Sequence, residues 1–267
     1  MTGLHDAFSR ARDEGRAALI GYLPAGFPTS DGSVLLIKAM VASGVDIVEV
    51  GLPYSDPLMD GPVIQEAADT ALRQGMTPAG VLDVVERVAA TGAATLVMSY
   101  WNPVERFGVD EFAGGLARAG GCGVITPDLT PEEAGEWTRA TYEHGIDRVF
   151  LVAPSSTDAR LRTVASACTG FVYAASTMGV TGARTSVSGA AESLVSRVRE
   201  ASSLPVAVGL GVSSGDQAAQ IAAYADGVIV GSAFIRRVLD APSLQAAEAS
   251  VRELVAELAA GVRRRTE

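Results

Sequence analysis

The chain predicts an α/β fold, a single-domain (β/α)8 TIM barrel across residues 1–267, on three observations. Short runs rich in Val and Ile recur eight times along its 267 residues. Longer stretches with apolar residues at helical spacing, often ending in Gly, lie between them. The runs are nearly continuous in apolar residues, as in parallel strands buried on both faces. Eight strand–helix units in a chain of this length match the barrel. A doubly wound open sheet is the alternative, but the G-x-G-x-x-G turn of a dinucleotide fold is absent after the first run.

The elements follow in order. The first strand run is AALIGYL (17–23), and SDGSVLLIKAMVASG (30–44) after it reads as a surface helix. The second run, VDIVEVGL (45–52), precedes two helical patterns, VIQEAADTALRQG (63–75) and PAGVLDVVERVAATG (78–92). ATLVMSY (94–100) and GCGVIT (121–126) are the third and fourth runs, with PEEAGEWTRATYEHG (131–145) a further helical pattern. The fifth is IDRVFLVA (146–153) and the sixth FVYAAS (171–176). LPVAVGLG (204–211), helical GDQAAQIAAYA (215–225) and DGVIVG (226–231) complete the set. A long amphipathic helix, 243–265, closes the outer ring, and Arg263, Arg264 and Arg265 suit its C-terminal end. No linker or low-complexity tract interrupts the chain.

Composition narrows the chemistry. The formal net charge is −10, which disfavours nucleic acid and anionic membranes as partners. No stretch reaches the ~18 apolar residues of a membrane span, and MTGLHDAFSRARDEGR at the N-terminus lacks a signal peptide's apolar segment. The expectation is a cytoplasmic protein. Cys122 and Cys168 are too few and too far apart for a metal motif or disulfide framework and read as buried free thiols. The sole lysine, Lys38, falls on the surface helix, a poor place for a Schiff-base amine. Of two histidines, His5 lies in the N-terminal segment and His144 precedes Gly145 at a helix end, where it would meet the last carbonyls. No metal site is expected, and any acid and base are carboxylates.

The strand ends hold the candidates, since a barrel builds its site there. Alternation puts Ile47, Glu49 and Gly51 on one face of the second strand and Val48 and Val50 on the other. An unpaired carboxylate in a dry core is costly. From position alone Glu49 is either a buried ion-paired or hydrogen-bonded group, or an acid/base facing a ligand, whose burial would keep it partly protonated near neutral pH. Asp56 and Asp60 in the next loop are ordinary turn residues or, for Asp60, the second member of an acid/base pair. Three glycine-rich strand ends, GVTGAR, GLGVSS and VGSAF, suit an anion held on backbone N–H groups. Gly231 and Ser232 open the helix after the eighth strand, with Ser232 expected as its N-cap. Tyr22, Tyr100 and Tyr173 at strand ends line a flat apolar pocket or simply pack. Trp101 adjoins Tyr100, and Trp137 reads as packing.

The segment EVGLPYSDPLMDGPVIQ carries a specific resemblance. It is similar to the E-[LV]-G-x-P-[FY]-S-D-P-x-A-D-G-P signature of tryptophan synthase α chains. ALIGYLPAGFP, MSYWNPVERFG, ITPDLTPEEA, LVAPSSTDARL, YAASTMGVTGAR, VGLGVSS and DGVIVGSAF extend it along nearly the whole chain in family order. The resemblance implies a carbon–carbon lyase of tryptophan biosynthesis, splitting indole-3-glycerol phosphate into indole and glyceraldehyde 3-phosphate. It implies Glu49 as the proton shuttle and Asp60 as the group at the indole N–H. It places Tyr22, Tyr100 and Tyr173 at the pocket and Gly182, Gly211, Gly231 and Ser232 at the phosphate. The 176–188 segment is similar to a loop that closes over the site, with Thr181 meeting Asp60. No cofactor is implied on this chain; pyridoxal phosphate belongs to a β subunit in an α2β2 assembly, met through the 53–60 loop with Pro53 and Asp56. Departures from the pattern are Met59 for alanine, Thr130 and Pro131 after Asp128-Leu129, and Pro24 where threonine is common. Alternatives are a non-catalytic activating subunit, a lyase that works alone, and a different phosphate-binding barrel such as a sugar-phosphate isomerase.

Overall fold

The computed structural model describes residues 3–175, 189–209 and 211–264. Nine parallel strands among them are β1 (Ala18–Pro24), β2 (Ile47–Gly51), β3 (Ala94–Met98), β4 (Gly123–Ile125), β5 (Asp147–Val149), β6 (Leu151–Val152), β7 (Val172–Ala175), β8 (Val206–Gly209) and β9 (Gly227–Val230). Their order is β5-β4-β3-β2-β1-β9-β8-β7-β6. The two ends of that order, β5 and β6, belong to one stretch of chain interrupted at Phe150. The stretch pairs with β4 through 147–149 and with β7 through 151–152, so the sheet closes on itself. The run 146–153, expected as a single strand, is thus two short ones. The same stretch must serve both neighbours, and its ladder changes side at Phe150. Closure also removes the open-sheet alternative.

Alternation sorts the side chains into two apolar cores. Val48, Val50, Val97, Val124, Val208 and Val228 point outward and pack under the helices. Ala18, Ile20, Ile47, Leu96, Ile125, Val149, Phe171 and Ile229 fill the barrel interior. The N-terminal segment, read as merely polar, is a helix over Leu4–Asp13 whose Leu4, Ala7, Phe8 and Ala11 join that inner core. Phe8 meets Phe171 at 5.5 Å, and Phe171 stacks beneath Tyr173 at 6.5 Å. The barrel is plugged at its N-terminal end and stays usable at the other.

Polar groups at the plugged end hold strands together. Arg16 makes two bonds to Asp46, of 2.6 and 2.8 Å, and Asp46 also accepts the Leu19 N–H. Both side chains are nearly dry, at 5% and 9% exposure. The Asp46 carboxylate, first among several causes, holds the Arg16 guanidinium charged well beyond its ordinary range. Asp46→Asn leaves that guanidinium half-paired, and we expect a loss of about 3–5 kcal/mol in urea unfolding. A loss below about 1 kcal/mol would mean that the pair behaves as a surface one.

Elsewhere the expected details are met or adjusted. Lys38 is exposed. Trp137 is fully buried and meets Trp101 edge-on at 5.8 Å. His144 ends the helix Gly135–His144, but its ring pairs with Asp110 Oδ1 at 3.0 Å instead of the helix carbonyls. Gly145 takes the left-handed cap, freeing the imidazole for this neighbour. Both cysteines are free; Cys168 is buried and Cys122 partly so. The long helix Leu244–Val262 closes the ring; Arg264 reaches Asp216, and Arg265 lies outside the described residues. No described helix is long and apolar enough to cross a membrane.

Candidate active site

Parallel register places the acids and tyrosines at one end of the barrel. Tyr22 on β1 is the register partner of Glu49 on β2, and Leu96 on β3 flanks Glu49 on its other side. Glu49 shares the inward face with Ile47, while Val48 and Val50 face the helices. Its carboxyl is 1% exposed, and Oε1 has no hydrogen-bond partner. Of the two readings of Glu49, this geometry disfavours the ion pair. Burial alone pushes its pKa up to about 8. A carboxyl in that state holds a proton at neutral pH and can both give and take it.

Asp60 ends the loop after β2, just before the helix Pro62–Arg73. Gln65 on that helix donates to the Asp60 carbonyl at 2.7 Å, fixing the loop's exit. Burial raises the Asp60 carboxyl to about 6, and a hydrogen bond from the Tyr100 hydroxyl pulls the other way. Tyr22 and Tyr173 both feel the charges of Glu49 and Asp60, and burial chiefly raises both phenols, so they stay neutral donors. Glu49, Asp60, Tyr22, Tyr100 and Tyr173 therefore form one cluster. No described group of three or more His, Cys, Asp or Glu is placed to hold a metal ion.

Two glycines make room for the rings. A Cβ on Gly51 would lie 2.4 Å from the Tyr22 hydroxyl oxygen, and one on Gly209 the same distance from that of Tyr173. Neither glycine is expected from the sequence to make room for a tyrosine ring; Gly209 enters there only as part of the glycine-rich GLGVSS. The available signal was a glycine on the inward face at a strand's end, where a ring from another strand needs its space.

The anion-binding candidates lie at the ends of the last two strands. Gly211 has φ +69°, the left-handed region that side chains avoid. Gly231 is the N-cap of the helix Ser232–Leu239. Ser232, expected as that cap, is the helix's first residue. Gly231 has no side chain to reach forward, so no side chain caps this first turn, and the Gly231 carbonyl accepts the Phe234 N–H at 3.0 Å. Ser213, Ser232, Ala233 and Arg236 border a cavity of about 530 Å³ that runs between the outer helices toward Asp240, Ser250 and Leu254 and touches neither acid nor any of the three tyrosines. Thr181, Gly182 and the whole 176–188 segment lie outside the described residues. In the 53–60 loop Pro53 is buried, whereas Asp56 is exposed and Leu58 is 74% exposed.

A family model described as tryptophan synthase alpha chain matches residues 8–263. The tryptophan synthase alpha chain of Thermobifida fusca is 60% identical over 98% of each chain. That of Mycobacteroides abscessus is 58% identical over 98% of this chain and 97% of its own. Among solved structures, one of Mycobacterium tuberculosis tryptophan synthase superposes with a TM-score of 0.92 at 56% identity, covering 97% of this chain and 98% of the other. The tryptophan synthase alpha subunit of Legionella pneumophila gives 0.87 at 31% identity over 98% of both.

Proposed function

Because the chain belongs to the tryptophan synthase alpha chain family, which cleaves indole-3-glycerol phosphate to indole and glyceraldehyde 3-phosphate, we propose that Glu49 and Asp60 carry that cleavage here. The observation that supports it best is the buried Glu49 carboxyl, whose Oε1 has no partner, among three tyrosines and a second raised carboxylate.

The reaction is a retro-aldol cleavage on this chain's own side chains. Protonated Glu49 gives its proton to indole C3, and the positive charge that develops on the ring nitrogen is met by ionised Asp60 at the N–H. Glu49, now a carboxylate, removes the proton from the hydroxyl on the carbon bonded to C3. The C–C bond breaks, the aldehyde forms, and the electron pair returns to the ring to give indole. Glu49 finishes protonated, as it began, and no cofactor enters the balance. Tyr22, Tyr100 and Tyr173 offer apolar faces to the indole. Gly211, Gly231 and Ser232 hold the phosphate on backbone amides and a hydroxyl, with Gly182 assigned there, and Thr181 assigned to meet Asp60, by family pattern alone.

We further propose one working domain over residues 1–267 and a β partner that takes the indole, its pyridoxal phosphate being the partner's own. Exposed Asp56 and Leu58 are the groups of the 53–60 loop that would meet this partner. Pro53, being buried, shapes the loop instead of touching the partner. Indole release from the substrate, measured with and without a β chain, tests the assignment. Release that rises with the β chain supports it; release indifferent to the partner marks a lyase that works alone; no release refutes the catalytic reading.

Gly211→Val tests the phosphate end. A β-branched residue is strained at φ +69° and would crowd an anion on the neighbouring amides. We expect KM for the substrate to rise tenfold or more, about 1.4 kcal/mol, and inorganic phosphate to compete less well. Unchanged affinity would place the anion elsewhere.

A further inference from the structure

The sequence places Tyr100 at the pocket, but its hydroxyl does something more specific. The Met59 N–H donates to Tyr100 Oη at 3.0 Å. A phenol carries one proton, so with an amide donor on the oxygen that proton must go to an acceptor. The acceptor within its reach is the Asp60 carboxylate, one residue after Met59, whose charge acts on this phenol more strongly than that of Asp128.

The ring that carries this hydroxyl is itself fixed. Tyr100 follows β3, is buried, and forms the N-cap of the helix Trp101–Phe107. Both Asp128 oxygens accept the Trp101 N–H, at 2.9 and 3.1 Å, and Ser99 Oγ donates to the Tyr100 carbonyl at 2.7 Å. The ring packs on Tyr54 at 5.4 Å, and the Tyr54 hydroxyl accepts a bond from Asn102 Nδ2 at 3.2 Å. Tyr54 and Asp60 bound the same loop, so the end of β3 grips that loop at both of its ends.

We propose that Tyr100 is a positioning residue for Asp60: oriented by the Met59 amide, its hydroxyl fixes the carboxylate in rotamer and direction to receive the indole N–H. This rests on the reading of Asp60 as the group at the indole nitrogen. Tyr22 from β1 and Tyr173 from β7 face both Asp60 and Glu49, while Asp128 faces Tyr100 from the loop after β4. Tyr22 and Tyr173 are neutral near pH 7, and Glu49 does not ionise until higher pH, so Tyr100 is the group whose removal moves Asp60.

The sign follows from the bond. The hydroxyl stabilises the ionised carboxylate, so losing it raises the Asp60 pKa further above its ordinary value. Tyr100→Phe keeps the ring and its packing. With the chain assembled with a β subunit, we expect kcat/KM at pH 7 to fall about 10–100-fold. The loss should lie in kcat, with KM within about threefold. The ascending limb of the pH profile should move up by about one unit. Site-specific 3-fluorotyrosine at position 100, a stronger donor of the same shape, should move that limb down. Asp60→Asn in the same assay separates the two levels of inference. If Asp60→Asn retains wild-type turnover, the reading of Asp60 fails. If Asp60→Asn is inactive while neither change at position 100 moves the limb, Asp60 stands and the positioning role of Tyr100 is overturned.

Discussion

Glu49→Gln should lower kcat by about 10²–10⁴-fold, the range one acid/base group supplies, while KM stays within a few-fold. The amide matches the carboxyl in shape but can neither give nor take a proton at C3 or at the glycerol hydroxyl. Steady-state rates with binding of the unreacted substrate to the variant decide it. Loss of binding along with turnover would make Glu49 structural. The substitution should also change stability with pH. Burial raises the Glu49 pKa from an unfolded value near 4.5 to about 8. The folded state therefore holds a proton that the unfolded chain has released between those values. Stability contributed by this group is full below about pH 4.5 and falls as pH rises through about 8, by a few kcal/mol in all. Glu49→Gln removes that slope. Urea unfolding at pH 5 and pH 9 should show the variant gaining on the wild type at the higher pH. Equal slopes would mean that the carboxyl is not held protonated.

The two ends of the barrel divide the work, and Glu49 shows why. Its cost is tolerated because the opposite end is closed by Leu4, Phe8 and Phe171 and tied by Arg16 to Asp46. Residues that lower the energy of the fold lie at the strand starts, and residues that raise it lie where the strands end. A carboxyl with an unpartnered oxygen in an otherwise satisfied core is a local conflict of the kind that proteins keep at functional sites.

How far the sequence could be read follows the same division. Eight runs of β-branched residues sufficed for the barrel, because burial on both faces leaves a continuous apolar signature. Glu49 stood out because a charge inside such a run has few structural uses. The helix over residues 4–13 was missed: its mean composition is polar, and only the spacing of Leu4, Ala7, Phe8 and Ala11 shows the apolar stripe. The break at Phe150 depends on closure, a property of the whole sheet that no local pattern encodes. Ser232 was displaced by one position from the cap because glycine and serine both open helices, and only the backbone angles choose between them. The pairing of Tyr100 with Asp60 that we propose joins residues forty apart, and nothing in either segment alone announces it.

Asp60→Asn separates the charge of this residue from its capacity to accept a hydrogen bond. The amide oxygen can still receive the indole N–H, so the substrate should bind with KM changed little. What is lost is the negative charge beside a ring nitrogen that becomes positive as C3 is protonated. At about 4 Å and an effective dielectric near 20, two unit charges interact by about 4 kcal/mol. The ring charge is only partial at the transition state and the site is partly solvated, so a loss of about 10²–10³-fold in kcat is the expected result. The pH profile offers a second measurement. Asp60 must be ionised and Glu49 protonated at the start, and burial raises them to about 6 and about 8 respectively. The wild type should then show a bell with limbs near those values. In Asp60→Asn the ascending limb should vanish and the descending one remain. An ascending limb that survives would assign it to another group. A variant as active as the wild type would show that charge at the indole nitrogen does not limit the reaction, leaving Glu49 to carry the cleavage without a charged partner.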